Sequence, residues 1–392
     1  MGGAALAVDA VLGTGLAEDV RGLAAEAIAW LNAAPCPVVS VDVPSGVSSD
    51  TGRVCGVAVR ADLTVTFAWP KRGNYLYPGA ALAGRLEVAE IGIPPPALER
   101  VSPGLWCLEE TDFAGSLARA RDAHKGSLGH VLVLGGSPGK TGAPGLAAWA
   151  ALRSGAGLAT VAAPPGALDK GRLPLEIMTE VLLPGGDWHA DLWPSANEVA
   201  GRATAVVAGP GMGTGEGAAG FLARLLGEEG APAVLDADAL NLIAREPAVW
   251  GGRRRAAVLT PHPGEAGRLL GIPAAAVQAD RVAALAELCG HYGCPVVLKG
   301  AGTLVGAPDA PAHLVPVGNP GMATAGTGDV LAGVLGAFVA RGLEIGLACR
   351  LAAYAHGLAG DLAAAESGED GLVASDLLAA LPRALVQLDS AA

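Results

Sequence analysis

The chain predicts an α/β protein in which a parallel sheet is covered by helices on both faces, and three observations carry that prediction. Short apolar runs rich in β-branched residues recur at residues 37–43 (PVVSVDV), 131–134 (VLVL), 205–208 (AVVA), 233–235 (AVL), 257–259 (AVL) and 296–298 (VVL). Apart from the first, which carries Ser40 and Asp42, these runs contain no polar residues, which fits strands buried on both faces, and Ala/Leu-rich helical patterns separate them. Almost every run ends in a turn rich in Gly, Pro or Asp, the place where open α/β sheets bind ligands.

With 392 residues, 51% of them hydrophobic, the chain can bury a large core, and its length suits two domains. Residues 91–104 (IGIPPPALERVSPG) break both periods with four prolines. A linker is therefore expected near residues 95–120, between domains at 1–100 and 110–388. The net charge of -12 gives no footprint for nucleic acid or an anionic membrane, and the basic cluster Arg253 to Arg255 is short. Mean hydropathy is +0.42. Even so, Arg153 and Asp169 interrupt one apolar run while Arg341 and Glu344 interrupt another, so no membrane helix is expected. The opening MGGAALAVDA has no basic region and reaches Asp9 early, which predicts a cytoplasmic protein without a secretory signal. The six cysteines form no C-x-x-C pair and read as buried apolar thiols rather than zinc ligands or disulfides. His124, His130 and His356 read as structural or surface residues, and Arg341 and Glu344 as a solvated helix face.

The chemistry-bearing signal is residues 319–333, NPGMATAGTGDVLAG. A glycine-rich turn opening a helix lets backbone N–H groups converge, and the helix dipole adds partial positive charge, so the turn favours a phosphate. Asp329 follows that turn directly. A carboxylate beside an anion is expected to act as a base or to bind metal, or else simply to be a favourable charge at a helix start. Four other strand ends carry small or ionisable residues: GPGMG (209–213), LDADALN (235–241), LTPHPGE (259–265) and KGAGT (299–303). Together they predict one shared cleft. Taken alone, His262 between two prolines reads as a hydrogen-bonded structural residue. The stretch GGSPGKT (135–141) lacks the spacing of a P-loop, because residue 134 is Leu, and its glycines read as room for close backbone approach.

In this order, HKGSLGHVLVLGGSPGKTGAPGLAAWAALRSGAGL (124–158), GPGMG, LDADALN, LTPHPGE, KGAGT and NPGMATAGTGDVLAGVLGAF resemble the ADP/ATP-dependent NAD(P)H-hydrate dehydratases of the ribokinase-like superfamily over about residues 110–385. The resemblance implies a three-layer αβα domain that uses ADP or ATP with Mg2+ to dehydrate the S form of hydrated NADH or NADPH, releasing phosphate and, from ADP, AMP. It further implies that Ala143, Gly211, Gly213 and His262 line the hydrate pocket. Lys299, Gly300, Ala301, Gly302, Thr303 and Gly328 would hold the nucleotide, and Asp329 would take the hydroxyl proton, with Asp238 near the same pocket. A homo-oligomer is expected. The competing readings are a small-molecule kinase of the same superfamily, acting on a hydroxymethyl-pyrimidine or a pyridoxal-like alcohol, and a nucleotide sensor without turnover.

In the front segment, DAVLGTG (9–15), VDVPSG (41–46), FAWPKRGNYLYPGA (67–80) and VAEIGIP (88–94) resemble the C-terminal portion of the NAD(P)H-hydrate epimerase domain. That implies a partial Rossmann-like α/β domain. Asp9 and Ser45 would hold K+. Gly13, Thr14, Gly15, Leu16, Ala17, Glu18 and Asp19 would cradle the substrate phosphate, and Asp42 would serve as acid or base. The family's NNGGDG motif does not precede Asp9 here, so the expectation is a domain without its first half, an incomplete potassium site and little epimerase activity.

Overall fold

The computed structural model describes residues 4–94, 96–97, 101, 103–169, 171 and 173–391. The chain forms two compact units, Met1–Trp106 with Ala279–Val282, and Cys107–Gln278 with Ala283–Ala392. Several positions of the expected linker, residues 95, 98–100 and 102, lie outside the described residues.

In the first unit, β1 (Ala7–Asp9), α1 (Gly22–Asn32), β2 (Val38–Val41), β3 (Leu63–Phe67), α2 (Gly79–Leu82) and β4 (Arg85–Ala89) follow in order. The strands form a parallel sheet in sequential order, β1-β2-β3-β4, with Asp9 beside Ser40 and Ser40 beside Thr64. Ile28 and Leu31 of α1 pack with Val38 and Val59 to cover it.

The boundary between the units falls inside a short strand, β5 (Leu105–Cys107). Beyond it come β6 (His130–Leu134), α3 (Gly142–Arg153), β7 (Leu158–Ala163), β8 (Met178–Val181), α4 (Trp193–Ala200), β9 (Ala205–Ala208), α5 (Glu216–Gly227), β10 (Ala233–Leu235), α6 (Asp238–Arg245), α7 (Ala248–Gly251) and β11 (Ala257–Leu259). The chain continues through α8 (Pro263–Leu270), α9 (Ala274–Ala279), α10 (Arg281–Tyr292), β12 (Val296–Leu298), β13 (Thr303–Gly306), β14 (Ala312–Val315), α11 (Thr327–Ala340), α12 (Ile345–Ser367) and α13 (Ala374–Ser390). Across the large sheet the order is β14-β13-β12-β11-β10-β9-β6-β7-β8. Val131, Val133, Val207, Val234, Val258 and Val297 point into one core with α3, α11, α12 and α13. Leu132, Leu134, Val206, Ala208 and Leu235, at the alternate positions, are equally buried, which explains runs with no polar alternation.

The six predicted runs all lie on strands, but the sheet is not parallel throughout: β12–β13 and β13–β14 pair antiparallel. Residues 299–302, between β12 and β13, are too few for a crossover, so the chain returns as a hairpin. Other corrections concern single residues. Cys107 is exposed and Cys36 partly so, while Cys55, Cys289, Cys294 and Cys349 are buried, and all six are free. Of the two residues read as a solvated helix face, Glu344 is exposed and Arg341 half-buried, and both stand at helix ends. Glu344 caps α12 by accepting from the N–H groups of Gly346 and Leu347, and Arg341 ends α11 and donates to the Leu117 carbonyl. Among the described residues no helix is long and apolar enough to cross a membrane.

Helix α11 positions the site. Its residues from Val330 to Ala340 are buried, and it lies against α3 so closely that a Cβ on Gly333 would stand 2.0 Å from the Ala147 carbonyl oxygen. Only glycine permits that approach. Gly333→Val should therefore force the helices apart and lower unfolding free energy by about 2 kcal/mol or more, the scale of an overpacked core. Urea denaturation measures this, and an unchanged midpoint would contradict the packing described.

Candidate active site

Helix α11 starts at Gly326, whose φ of +92° is the left-handed conformation that lets the chain turn into the helix. Asp329 stands in the first turn. Gly328 beside it faces the carboxyl ends of two strands: a Cβ there would be 3.3 Å from Lys299 Nζ and 3.8 Å from Asp236 Oδ2. Lys299 follows β12 and Asp236 follows β10, and their ion pair is 2.6 Å long with Asp236 fully buried. Thr260 Oγ1, at the end of β11, donates to the same Asp236 oxygen at 2.8 Å. Glu265 Oε2 is 3.8 Å from Lys299 Nζ.

Charge is concentrated here. Burial pushes the Asp329 carboxyl up, the Asp236 charge adds to the effect, and Lys299 only partly opposes it, so the pKa rises from 3.8 to about 7. Burial disfavours the Lys299 ammonium, yet Asp236 and Glu265 outweigh it and raise the pKa above the usual lysine value. Glu265 is raised as well, chiefly by burial. The result is a cation locked among acids, and beside it a carboxyl balanced between its neutral and ionised forms near neutral pH.

His262 caps α8: its Nδ1 accepts from the N–H groups of Gly264 and Glu265, and Glu265 Oε2 accepts from the His262 N–H at 2.9 Å. Burial, with Lys299 and Arg268 nearby, lowers its pKa, so the ring is neutral. His356 on α12 braces the turn by donating from Nε2 to the Thr327 carbonyl at 2.8 Å.

Adjacent acids at the β10 end are sent in different directions by Ala237, a non-glycine residue with φ +52°. Asp236 turns to Lys299. Asp238 accepts from the Gly213 N–H at 2.8 Å and from Lys140 Nζ at 3.3 Å. A Cβ on Gly211 would be 3.3 Å from the Ala143 Cβ, and Ser137 Oγ donates to the Gly211 carbonyl. Ala143, Gly211 and Gly213 are thus neighbours. A cavity of about 310 Å3 opens beside them, lined by Ser137, Gly213, Met212, Trp188 and several prolines. Gly300, Ala301, Gly302 and Thr303 form the β12–β13 hairpin tip directly after Lys299, where Thr303 Oγ1 donates to the Gly300 carbonyl.

The first unit holds a second cluster. Asp9 Oδ2 accepts from Ser40 Oγ and from the Ser45 N–H, both at 2.8 Å, while Ser45 Oγ donates to the Leu12 carbonyl and accepts from its N–H. Gly13, Thr14, Gly15, Leu16, Ala17, Glu18 and Asp19 form a largely exposed loop, tied in where Ser49 Oγ donates to the Thr14 carbonyl. Asp42 follows β2 with φ +70°. Its Oδ1 accepts from Thr66 Oγ1, the Phe67 N–H and the Lys71 ammonium. Burial opposes its charge, but Lys71 and these donors win and hold the carboxyl below the usual range.

Fold and site together define a ribokinase-like α/β protein. Residues 131–383 match the family model described as NAD(P)H-hydrate dehydratase, and residues 2–73 match that of the YjeF-related protein N-terminus. The chain belongs to the NAD(P)H-hydrate dehydratase family. It is 43% identical over 395 residues to the bifunctional NAD(P)H-hydrate repair enzyme Nnr of Moorella thermoacetica, covering 98% of this chain and 73% of that one. The enzyme of the same name from Coxiella burnetii is 44% identical, covering 94% and 74%. The ADP/ATP-dependent NAD(P)H-hydrate dehydratase of Bacillus subtilis, co-crystallised with ATP/Mg2+, superposes with a TM-score of 0.59 at 29% identity, covering 69% of this chain and 94% of that one.

Asp329 also leaves a stability signature. In the unfolded chain it ionises near 3.8, in the folded protein near 7. The neutral form therefore contributes stability that is complete below about pH 4 and is lost as pH rises through 7. Asp329→Asn should be close to wild type at pH 4 and more stable than wild type at pH 8, by about 1–3 kcal/mol. Urea midpoints at the two pH values test the sign; a gap that does not grow with pH contradicts the raised pKa.

Proposed function

We propose that the chain repairs hydrated NADH and NADPH by nucleotide-dependent dehydration, with Asp329 as the base. The observation that carries this reading is the Asp329 carboxyl, held near pKa 7 in the first turn of a glycine-opened helix and flanked by the Lys299–Asp236 pair. A general base is most effective when its pKa lies near the working pH. The nucleotide phosphates would lie on the Gly326 to Gly328 turn, with Lys299, Gly300, Ala301, Gly302, Thr303 and Gly328 as its contacts. The hydrate would sit against Ala143, Gly211, Gly213 and the neutral His262. Asp329 takes the proton of the ring hydroxyl as its oxygen attacks the terminal phosphorus and the bond to the departing nucleotide breaks. The ring C–O bond then breaks, phosphate and a ring proton leave, and the double bond returns. Little more than positioning and charge neutralisation is needed for this chemistry.

The relative from Bacillus subtilis was crystallised with ATP/Mg2+, which supports the same pairing here. Asp236 fits a magnesium ion brought in on the phosphates, since Thr260 and Lys299 engage its Oδ1 while Oδ2 is turned toward Gly328. A hard cation of this kind is commonly held by one or two carboxylates together with phosphates. In the first unit Ser45 donates its N–H to Asp9 Oδ2 at 2.8 Å, so the two residues would supply neighbouring hard oxygen donors toward K+, two of the several such a cation needs. Asp42, held ionised by Lys71, would serve there as acid or base, with little epimerase activity expected from the incomplete potassium site.

The decisive experiment supplies S-hydrated NADH with ADP or ATP and magnesium. It follows the return of the reduced nicotinamide's near-ultraviolet absorbance together with released phosphate. Both should rise together; a stable phosphoester without recovered absorbance would instead identify a kinase. Turnover should increase with pH up to about 7 and then level off. Asp329→Asn should lose at least about 10²-fold in turnover while keeping nucleotide binding, the scale on which a positioned base contributes. Near-wild-type rates in the variant would remove Asp329 from the mechanism.

Gly328→Val places a branched side chain against Lys299 Nζ and Asp236. Affinity for ADP should fall by about tenfold or more, the equivalent of losing one good interaction. Calorimetry measures it, and unchanged affinity would move the nucleotide off this turn.

A further inference from the structure

A second cavity of the large unit has three arginines in its lining, beside Leu117, Pro382, Leu385 and Val386. Its volume is about 390 Å3, and its polar lining is Arg119, Arg153, Arg341, Ser154 and Asp389. It lies at the far ends of the two helices that begin at the active site: α3 runs from Gly142 to Arg153 and α11 from Thr327 to Ala340. At 1.5 Å per residue, α11 alone separates it from the Asp329 turn by about 20 Å.

Part of this cluster has a plain structural explanation. Arg153 and Arg341 stand at helix C-termini, where a cation complements the dipole, and they donate to the Leu378 and Leu117 carbonyls at 3.1 and 3.0 Å. Two features fall outside it. Arg119 belongs to neither helix, is exposed, and has no hydrogen bond or ion pair among the described residues. Its guanidinium nevertheless converges with that of Arg341 over Gly155: a Cβ there would be 2.3 Å from Arg119 Nη2 and 3.4 Å from Arg341 Nη1. The glycine, at φ +95°, keeps that space open. Three cations meet one lining carboxylate, Asp389, so the cavity carries uncompensated positive charge.

The second feature is Ser154. It is fully buried, lines the cavity, and its Oγ has no hydrogen-bond partner among the described residues. A buried hydroxyl without a partner is unfavourable, and an acceptor entering the cavity would satisfy it. Converging guanidiniums with a hydroxyl donor between helix ends match the forked geometry of a phosphate oxyanion, and the arginine carries its charge at any physiological pH.

We propose that this cavity is a binding site for a phosphate group, clamped by Arg119 and Arg341 and receiving a hydrogen bond from Ser154 Oγ. The ligand is inorganic phosphate or a small phosphate monoester, and the site is separate from the catalytic phosphates. The inference does not depend on the dehydratase reaction.

The test uses the full chain, titrated by calorimetry and thermal unfolding with inorganic phosphate and, in parallel, ribose 5-phosphate, against chloride at matched ionic strength. Wild type should bind saturably. Arg119→Gln, at an exposed position that leaves the fold intact, should weaken binding by about tenfold, the scale of one lost charge-assisted interaction. Ser154→Ala should weaken it several-fold. Equal weakening for both ligands identifies free phosphate as sufficient, and tighter monoester binding identifies an organic phosphate; either supports the site. Two results overturn it: an adventitious ion only, with no saturation beyond the chloride control, or saturable binding unchanged in both Arg119→Gln and Ser154→Ala, which would place the anion on the glycine turn of α11.

Discussion

The ion pair between Asp236 and Lys299 is the constraint around which the large unit's chemistry is arranged. A fully buried aspartate is costly without a partner, and a lysine drawn into the same place is costly without an acid. Each makes the other tolerable, and Thr260 and Glu265 complete the set. Because both charges are fixed, their field on Asp329 is fixed too. Asp236 raises that carboxyl's pKa, Lys299 limits the rise, and burial supplies the largest share. Four elements meet at this point, the ends of β10, β11 and β12 and the start of α11, so the electrostatics of Asp329 report the correct assembly of these strand ends.

Helix α11 joins that chemistry to the core. The fourteen residues of Thr327–Ala340 turn almost every side chain toward α3, α12 or the strands, which only small residues at the contacts allow. Gly333 against Ala147 and Gly336 against Val207 bring backbone and sheet together at distances a larger side chain would forbid. An active-site turn mounted on such a helix inherits its rigidity. In the proposed reaction Asp329 would gain from that, since small misplacements of a reacting group are costly in rate.

Much of this was legible in the sequence because it is written in local patterns. The apolar runs lie on strands, and the turns after β10, β11 and β12 carry charged residues that meet beside the start of α11. Where tertiary context decides, the residues say less. The β7 run LATVAA is alanine-rich enough to resemble helix, and β8, MTEV, alternates like an edge strand. Asp236 and Glu265 stand in the quoted motifs, yet only the fold shows that they confine Lys299 and tune Asp329. Lys71 is the partner of Asp42 across twenty-nine positions, and no spacing rule announces that pairing. Arg341 read as a surface charge because its carbonyl partner, Leu117, lies more than two hundred positions away.

Ala237 carries a broader implication. A non-glycine residue at φ +52° holds conformational energy of about 1–3 kcal/mol, and it persists because β10 on one side and α6 on the other leave the chain no alternative. That single peptide hinge divides neighbouring acids between the cation cluster and the Gly213 loop. The accuracy of the site is therefore drawn from the stability reserve of the surrounding sheet, and the two properties are coupled along the sequence. Substitutions that soften β10 or α6 would weaken the constraint that holds this residue.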